Sequence, residues 1–168
     1  LSRREKVYTE GEILEAVEKI HDLFKSRGLT LSIAESCTGG FIAHLITTLP
    51  GASKFFYGGV ITYFTECKVR VLGVRRETIN RYGVVSAETA MEMAERVREI
   101  MSTDFGVSTT GNLGPETLEG KEVGLVYFGL SSKDKTTHEM KVFSGSRDEN
   151  KKEAAMYALK LIIDFVNK

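Results

Sequence analysis

Residues 29–49 read LTLSIAESCTGGFIAHLITTL, and the hydrophobic period changes in the middle of that stretch. Leu29, Leu31 and Ile33 alternate with Thr30 and Ser32, the two-residue period of a strand over residues 29–34. Phe41, Ile42, Leu45, Ile46 and Leu49 recur at three- and four-residue steps, the period of a helix, which Pro50-Gly51 ends. Between them lies a short polar turn, Glu35-Ser36-Cys37-Thr38-Gly39-Gly40. A strand that turns directly into a helix is the unit from which α/β folds are built.

The pattern extends in both directions. Upstream, Ile13, Leu14, Val17, Ile20, Leu23 and Phe24 form a helical stripe, and Gly28 is a C-terminal stop. Downstream, YGGVITY at 57–63 reads as a strand, 66–72 as one or two helical turns, and 77–82 as a short helix stopped by Gly83. Ser86 is an N-cap for a helix with Ala90, Met93, Ala94, Val97 and Met101 on its apolar side. Residues 105–110 read as a strand, 111–122 as a loop, and 123–130 as a strand apolar enough to lie inside a sheet. Lys133-Asp134 is a turn too short for a crossover, so the strand at 136–143 should run antiparallel to the one before it. Ser146 and Glu149 form a capping box, and Ala154, Ala155, Ala158, Leu161, Ile162 and Phe165 give the last helix its apolar face. These elements predict an α/β fold: a three-layer α/β/α sandwich with a mixed, mostly parallel sheet. The polar residues 1–11 suit an N-terminal extension or linker, and 12–168 a single domain.

Composition removes several classes of function. The 168 residues carry 23 Lys plus Arg and 23 Asp plus Glu, a formal net charge of zero. The basic pairs Arg3-Arg4, Arg75-Arg76 and Lys151-Lys152 have acidic neighbours and read as solvated helix faces, so no nucleic-acid partner is expected. No apolar run approaches the ~20 residues of a spanning helix and no signal peptide opens the chain, so no membrane association is expected. Two lone cysteines, Cys37 and Cys67, suit a reducing cytoplasm. His21, His44 and His138 are far apart in sequence, so no metal site is expected.

The turn at 35–40 is the first place to look for chemistry. It joins a strand to a helix N-terminus, where unpaired N–H groups can face an anion or an oxyanion and glycine permits close approach. The plain reading is that Ser36 or Thr38 caps the helix. The turn is neither a GxxxxGK[ST] phosphate loop nor a GxSxG elbow. If Ser36 is a nucleophile it needs a base, and the histidines occupy ordinary helix and strand positions. Lys68, which closely follows the 57–63 strand, is a candidate if burial lowers its pKa. Tyr63, at the end of that strand, would orient the lysine or relay a proton. Their plain readings are a solvated lysine and a strand-end aromatic. Cys37 is a chemically reasonable alternative nucleophile. A second glycine-punctuated turn, TTGNLGP at 109–115, lies at the same sheet edge if its strand is parallel to the first. Arg147, at the start of the last helix, suits a phosphate or carboxylate. Glu35 and Asp104 are a conceivable acid pair that nothing in the spacing favours.

These residues resemble the CinA C-terminal domain family, the competence/damage-inducible group that includes nicotinamide-nucleotide amidases. The resemblance rests on AESCTGG at 34–40, PGASKFFYGGVITYFTECKVRVLGV at 50–74, GVVSAETAMEMA at 83–94, TTGNLGP at 109–115, VGLVYFGL at 123–130 and FSGSRDENKKEAAMYAL at 143–159. It implies hydrolysis of the carboxamide of nicotinamide mononucleotide to nicotinate mononucleotide and ammonia. It further implies Ser36 as nucleophile, Lys68 as general base and Tyr63 as its partner. Thr110 and Gly111 of the second turn, Arg147 and the Cys37, Thr38, Gly39 and Gly40 segment would bind substrate, with no metal or organic cofactor. A homo-oligomer, with a dimer favoured, and an additional N-terminal domain in a longer chain are further expectations. Two departures stand out. The family commonly reads TGIAGPGGG where this chain has TGNLGPETLEG, and YSNEAK where it has Tyr63-Phe64-Thr65-Glu66-Cys67-Lys68. The altered loop motivates the alternative of a non-catalytic nucleotide-binding or assembly domain.

Overall fold

The computed structural model describes residues 8–168. Most of the 1–11 extension therefore lies outside the described residues. Its last two residues, Glu10 and Gly11, belong to the first helix, because Thr9 and Glu12 form a capping box that starts helix α1 at Glu10–Arg27. Gly28 ends α1 in a left-handed conformation, and the Leu29 N–H bonds back to Phe24 O. That spends Leu29 on the helix end, so strand β1 begins two residues later than its alternation suggests, at Leu31–Glu35. Helix α2 follows at Phe41–Ile46, then a 3-10 turn at Ala52–Lys54 and strand β2 at Phe56–Ile61. Three helices come next: α3 at Thr65–Arg70, α4 at Arg76–Tyr82 and α5 at Ala87–Met101, the last capped by Ser86. Strands β3 at Phe105–Gly111, β4 at Leu125–Ser131 and β5 at Thr136–Val142 precede helix α6 at Arg147–Val166. The expected Ser146–Glu149 box opens α6.

The five strands form one sheet in the order β2-β1-β3-β4-β5. β1 pairs in parallel with β2 and β3, whereas β4 is antiparallel to both β3 and β5. Four strands thus share a direction and β4 opposes them. All five residues of β1 are buried, although the sequence suggests one polar face, because helices cover both sides of the central strands.

Alternate residues of β1 belong to different cores. Ile33 packs with Val17, Ile20 and Phe24 of α1, Ile42 of α2 and Leu159 of α6. Ala34 packs with Leu72, Val74 and the Met93 and Val97 side chains of α5. The layers are therefore α1, α2 and α6 on one face and α5 with α4 on the other. Gly106 and Gly129 let α5 approach the sheet closely, since a Cβ at either would lie 2.2 Å from Ala94 O or 2.1 Å from Ala90 O. With β1 and β3 parallel and adjacent, the turns that follow them emerge together at one sheet edge, the usual location of ligand sites in open α/β sheets.

Candidate active site

Ser36 follows the last residue of β1, and its N–H donates to Thr109 O on β3, which fixes the start of the turn against the neighbouring strand. The helix beyond it is not capped by a hydroxyl. Gly40, with φ of 97°, occupies the cap position and has no side chain to offer. Glu35 does that work by folding back. Its carboxylate accepts from Ile42 N (2.9 Å), Ala43 N (3.1 Å) and Thr38 Oγ1 (2.6 Å). An anion beside the first turn of a helix satisfies its unpaired donors and favours its dipole.

This arrangement changes the expected anion site. The Ile42 and Ala43 N–H groups are committed to Glu35, Gly39 N–H to Ser36 O and Phe41 N–H to Thr38 O. Thr38 is fully buried, and its hydroxyl is shared between Glu35 and Thr109 Oγ1 (2.8 Å), so its side chain builds the turn and does not face the pocket. The backbone amides of Cys37, Thr38 and Gly40 remain as candidate donors. Glu35 and Asp104 form no acid pair, because Asp104 caps the entry to β1 through Thr30 N and Thr30 Oγ1, both at 2.9 Å.

Lys68 lies on α3 with its side chain fully buried. Its Nζ lies 2.9 Å from Ser36 Oγ and donates to Thr62 O at 2.6 Å. Burial is the main influence on its amine and pushes the pKa down from 10.5 to about 8, against smaller upward pulls from Cys37, Cys67 and Glu119. Such an amine is neutral in about a tenth of molecules at pH 7 and about half at pH 8. It can then accept the proton of the hydroxyl it touches. The two plain readings, a capping serine and a solvated lysine, both fail on this geometry.

Cys37 differs sharply from its neighbour. It is buried within the main core, and burial pushes its thiol up to about 12 despite a hydrogen bond from Thr109 and the nearby Lys68 charge. A thiol with that pKa supplies very little thiolate.

The Tyr63 hydroxyl is not hydrogen-bonded to Lys68. Tyr63 lies two residues beyond β2, exposed, and its hydroxyl accepts from Arg147 Nη2 at 2.6 Å. Arg147 Nη1 donates to Gly114 O at 2.5 Å, so the arginine spans from the Tyr63 segment to the second turn. The group that orients Lys68 is the Thr62 carbonyl, a main-chain atom that side-chain motifs do not reveal. Thr110 donates to Val84 O at 2.8 Å, and Gly111 ends β3 close against Leu125 and Val126 of β4.

A cavity of about 390 Å³ opens beside Ser36, bounded by Tyr63, Thr110, Gly111, Arg147 and the loop from Asn112 to Leu118. Its volume is in the range of small-molecule sites. Asn112 accepts from Gly114 N through Oδ1 (3.0 Å), while its Nδ2, like Thr62 Oγ1, is buried with no partner among the described residues. A more open cleft of about 770 Å³ between α1 and α6, lined by Lys19, Lys25, Arg27 and Asn167, holds no nucleophile–base pair. Among the described residues no group of three or more His, Cys, Asp or Glu side chains could hold a metal ion, and no helix is long and apolar enough to cross a membrane.

Residues 14–166 match the model of the CinA C-terminal domain. The chain belongs to that family. Among relatives, a CinA-like protein of Kosmotoga olearia is 45% identical over 167 residues, covering 98% of this chain and 39% of the relative. One from Dictyoglomus thermophilum is 47% identical over 144 residues, covering 84% of this chain and 34% of the relative. The chain thus spans less than half the length of these relatives. Among solved structures, a competence/damage inducible protein from Agrobacterium tumefaciens superposes with a TM-score of 0.89 at 34% identity, covering 96% of this chain and 99% of that one. A CinA superfamily protein from Escherichia coli gives 0.90 at 28% identity, covering 98% and 97%.

Proposed function

We propose that this domain is an amidohydrolase that deamidates nicotinamide mononucleotide to nicotinate mononucleotide and ammonia, with Ser36 as nucleophile and Lys68 as general base. The observation that carries the reading is the 2.9 Å contact between Lys68 Nζ and Ser36 Oγ in a site where burial favours the neutral amine. Neutral Lys68 takes the Ser36 hydroxyl proton as Oγ bonds to the carboxamide carbon. The backbone amides of Cys37, Thr38 and Gly40 are the candidate donors to the oxyanion that forms. Collapse of the tetrahedral species breaks the C–N bond, and Lys68 returns its proton to the departing ammonia. A water, deprotonated by the same amine, then attacks the acyl-serine ester and regenerates Ser36. The Thr62 carbonyl keeps Nζ directed at Oγ throughout.

Membership in the CinA C-terminal domain family agrees with the reading. Arg147 suits the anionic end of the nucleotide, since it already lies on the cavity wall and a guanidinium keeps donors to spare after its bonds to Gly114 and Tyr63. The test is ammonia release from nicotinamide mononucleotide by the purified protein, compared with Ser36→Ala. Release that is lost in the variant, with its thermal unfolding unchanged, supports the reading. Tight nucleotide binding without any release by the unaltered protein supports the non-catalytic alternative instead.

A further inference from the structure

Two residues other than glycine have left-handed backbone among the described residues. Ser102 caps the end of α5, where that conformation is common. Glu119, with φ of 55°, and Gly120, with φ of 68°, are the two central residues of a tight turn that Lys121 N–H closes on Leu118 O at 3.0 Å. That turn lies in the loop between β3 and β4, and it accounts for a conformation that side chains of this type seldom adopt.

What sets Glu119 apart is where this turn places its carboxylate. Oε2 accepts from Val84 N at 2.9 Å and Oε1 from Val85 N at 2.8 Å, so both oxygens grip successive amides of the α4–α5 turn. Gly83 leaves the room for it: a Cβ there would lie 2.3 Å from Glu119 Oε2. From the same loop, Lys121 Nζ donates to Val85 O and, at 3.3 Å, to Tyr82 O. One turn is therefore held by an acid on its donors and a base on its acceptors. Thr110, on the cavity wall, bonds to Val84 O in that turn.

The residues between this grip and the end of β3 form a wall of the Ser36 cavity. At its near end the wall is tied by Arg147 to Gly114 O and by Asn150 to Leu113 O. At its far end, Glu119 and Lys121 are the ties.

We propose that Glu119 is a positioning residue: its carboxylate, seated against Gly83 and the Val84 and Val85 N–H groups, latches segment 113–118 in place as a wall of the Ser36 cavity and so sets substrate affinity without touching the reacting atoms. The affinity half of this statement rests on the amidase reading; the latch does not. When a binding-competent wall is populated only part of the time, apparent affinity falls by that fraction while the chemistry of the bound complex is retained.

The test uses the full chain with Glu119→Ala, Glu119→Gln and Gly83→Ala, read by steady-state kinetics on nicotinamide mononucleotide and by amide hydrogen exchange. Glu119→Ala should raise KM about tenfold, the scale of a lost charge-assisted hydrogen bond, with kcat changed less than about threefold. Exchange at Val84, Val85 and segment 113–118 should accelerate, while that of β1 and β3 stays as in the unaltered protein. Glu119→Gln, which retains one acceptor oxygen, should fall between. Gly83→Ala fills the seat and also forces a side chain onto a φ of 85°, so its exchange at 113–118 should be at least as fast as in Glu119→Ala. Unchanged exchange at 113–118 in Glu119→Ala overturns the latch, and faster exchange there with an unchanged KM overturns its role in affinity. If the unaltered protein does not turn over the nucleotide, the amidase reading falls, and the exchange comparison by itself decides the latch.

Discussion

The two glycine-punctuated turns at the sheet edge are built in opposite ways. The turn after β1 is closed on itself: Glu35 reaches forward to Thr38, Ile42 and Ala43, and Thr38 reaches across to Thr109. The Glu35 bonds all lie within eight residues, and of these side-chain bonds only Thr38–Thr109 reaches another strand. The turn after β3 opens into a long loop that bonds to itself at its two ends, through Asn112 with Gly114 and Gly124 and through Leu118 with Lys121, and is otherwise held by partners elsewhere in the chain: Arg147, Asn150 and the α4–α5 turn. It retains an unpartnered Asn112 amide. The first turn fixes Ser36 within 2.9 Å of Lys68 Nζ. The second can alter the shape of the cavity without disturbing that pair.

The largest effects should come from breaking the first turn's chemistry. Ser36→Ala should reduce ammonia release by roughly 10⁴-fold or more, and Lys68→Met by about 10³-fold, with the fold retained in both by circular dichroism. Comparable activity in Lys68→Met would mean that the buried amine is not the base. Next is the scaffold of that turn. Glu35→Ala leaves the Ile42 and Ala43 donors without their acceptor, and should cost about 3 kcal/mol in urea-induced unfolding. The second turn should yield far less. Asn112→Ala loses the bond to Gly114 N but also removes the orphaned amide, so the two changes largely offset and stability should move by less than about 1 kcal/mol. A larger loss at Asn112 than at Glu35 would invert the comparison between the turns.

The difference between the turns also separates what the sequence revealed from what it hid. The order of elements, the Ser86 cap, the Ser146–Glu149 box and the antiparallel β4–β5 hairpin follow from local patterns, and local patterns are what periodicity and capping rules describe. Residues 29–49 gave the strand–turn–helix unit in the correct place. The alternation in β1 misled about burial, since a central strand covered on both faces buries its polar residues as well: Ser32 finds Val97 O and Thr103 Oγ1. Ser36 and Lys68 were candidates by residue type, but their contact joins positions 32 residues apart and only the fold brings them together. Three features left no readable signal: the Thr62 carbonyl on Lys68, the pairing of Tyr63 with Arg147, and the seat of Glu119. Each depends on a main-chain atom or on a long-range meeting of loops. Glu35 could have been found, because an acid shortly before a helix that lacks a hydroxyl at its cap position is a recognisable pattern.

The most direct test of the Ser36–Lys68 pair is the pH dependence of kcat/KM for ammonia release from nicotinamide mononucleotide, measured for the unaltered protein, Cys37→Ser and Ser36→Ala. The base must be unprotonated, so activity should rise with pH and level off above an apparent pKa of about 8, falling about tenfold per pH unit below it. Cys37→Ser should keep that profile and Ser36→Ala should lose activity at every pH. Release by Ser36→Ala at the rate of the unaltered protein would contradict the account.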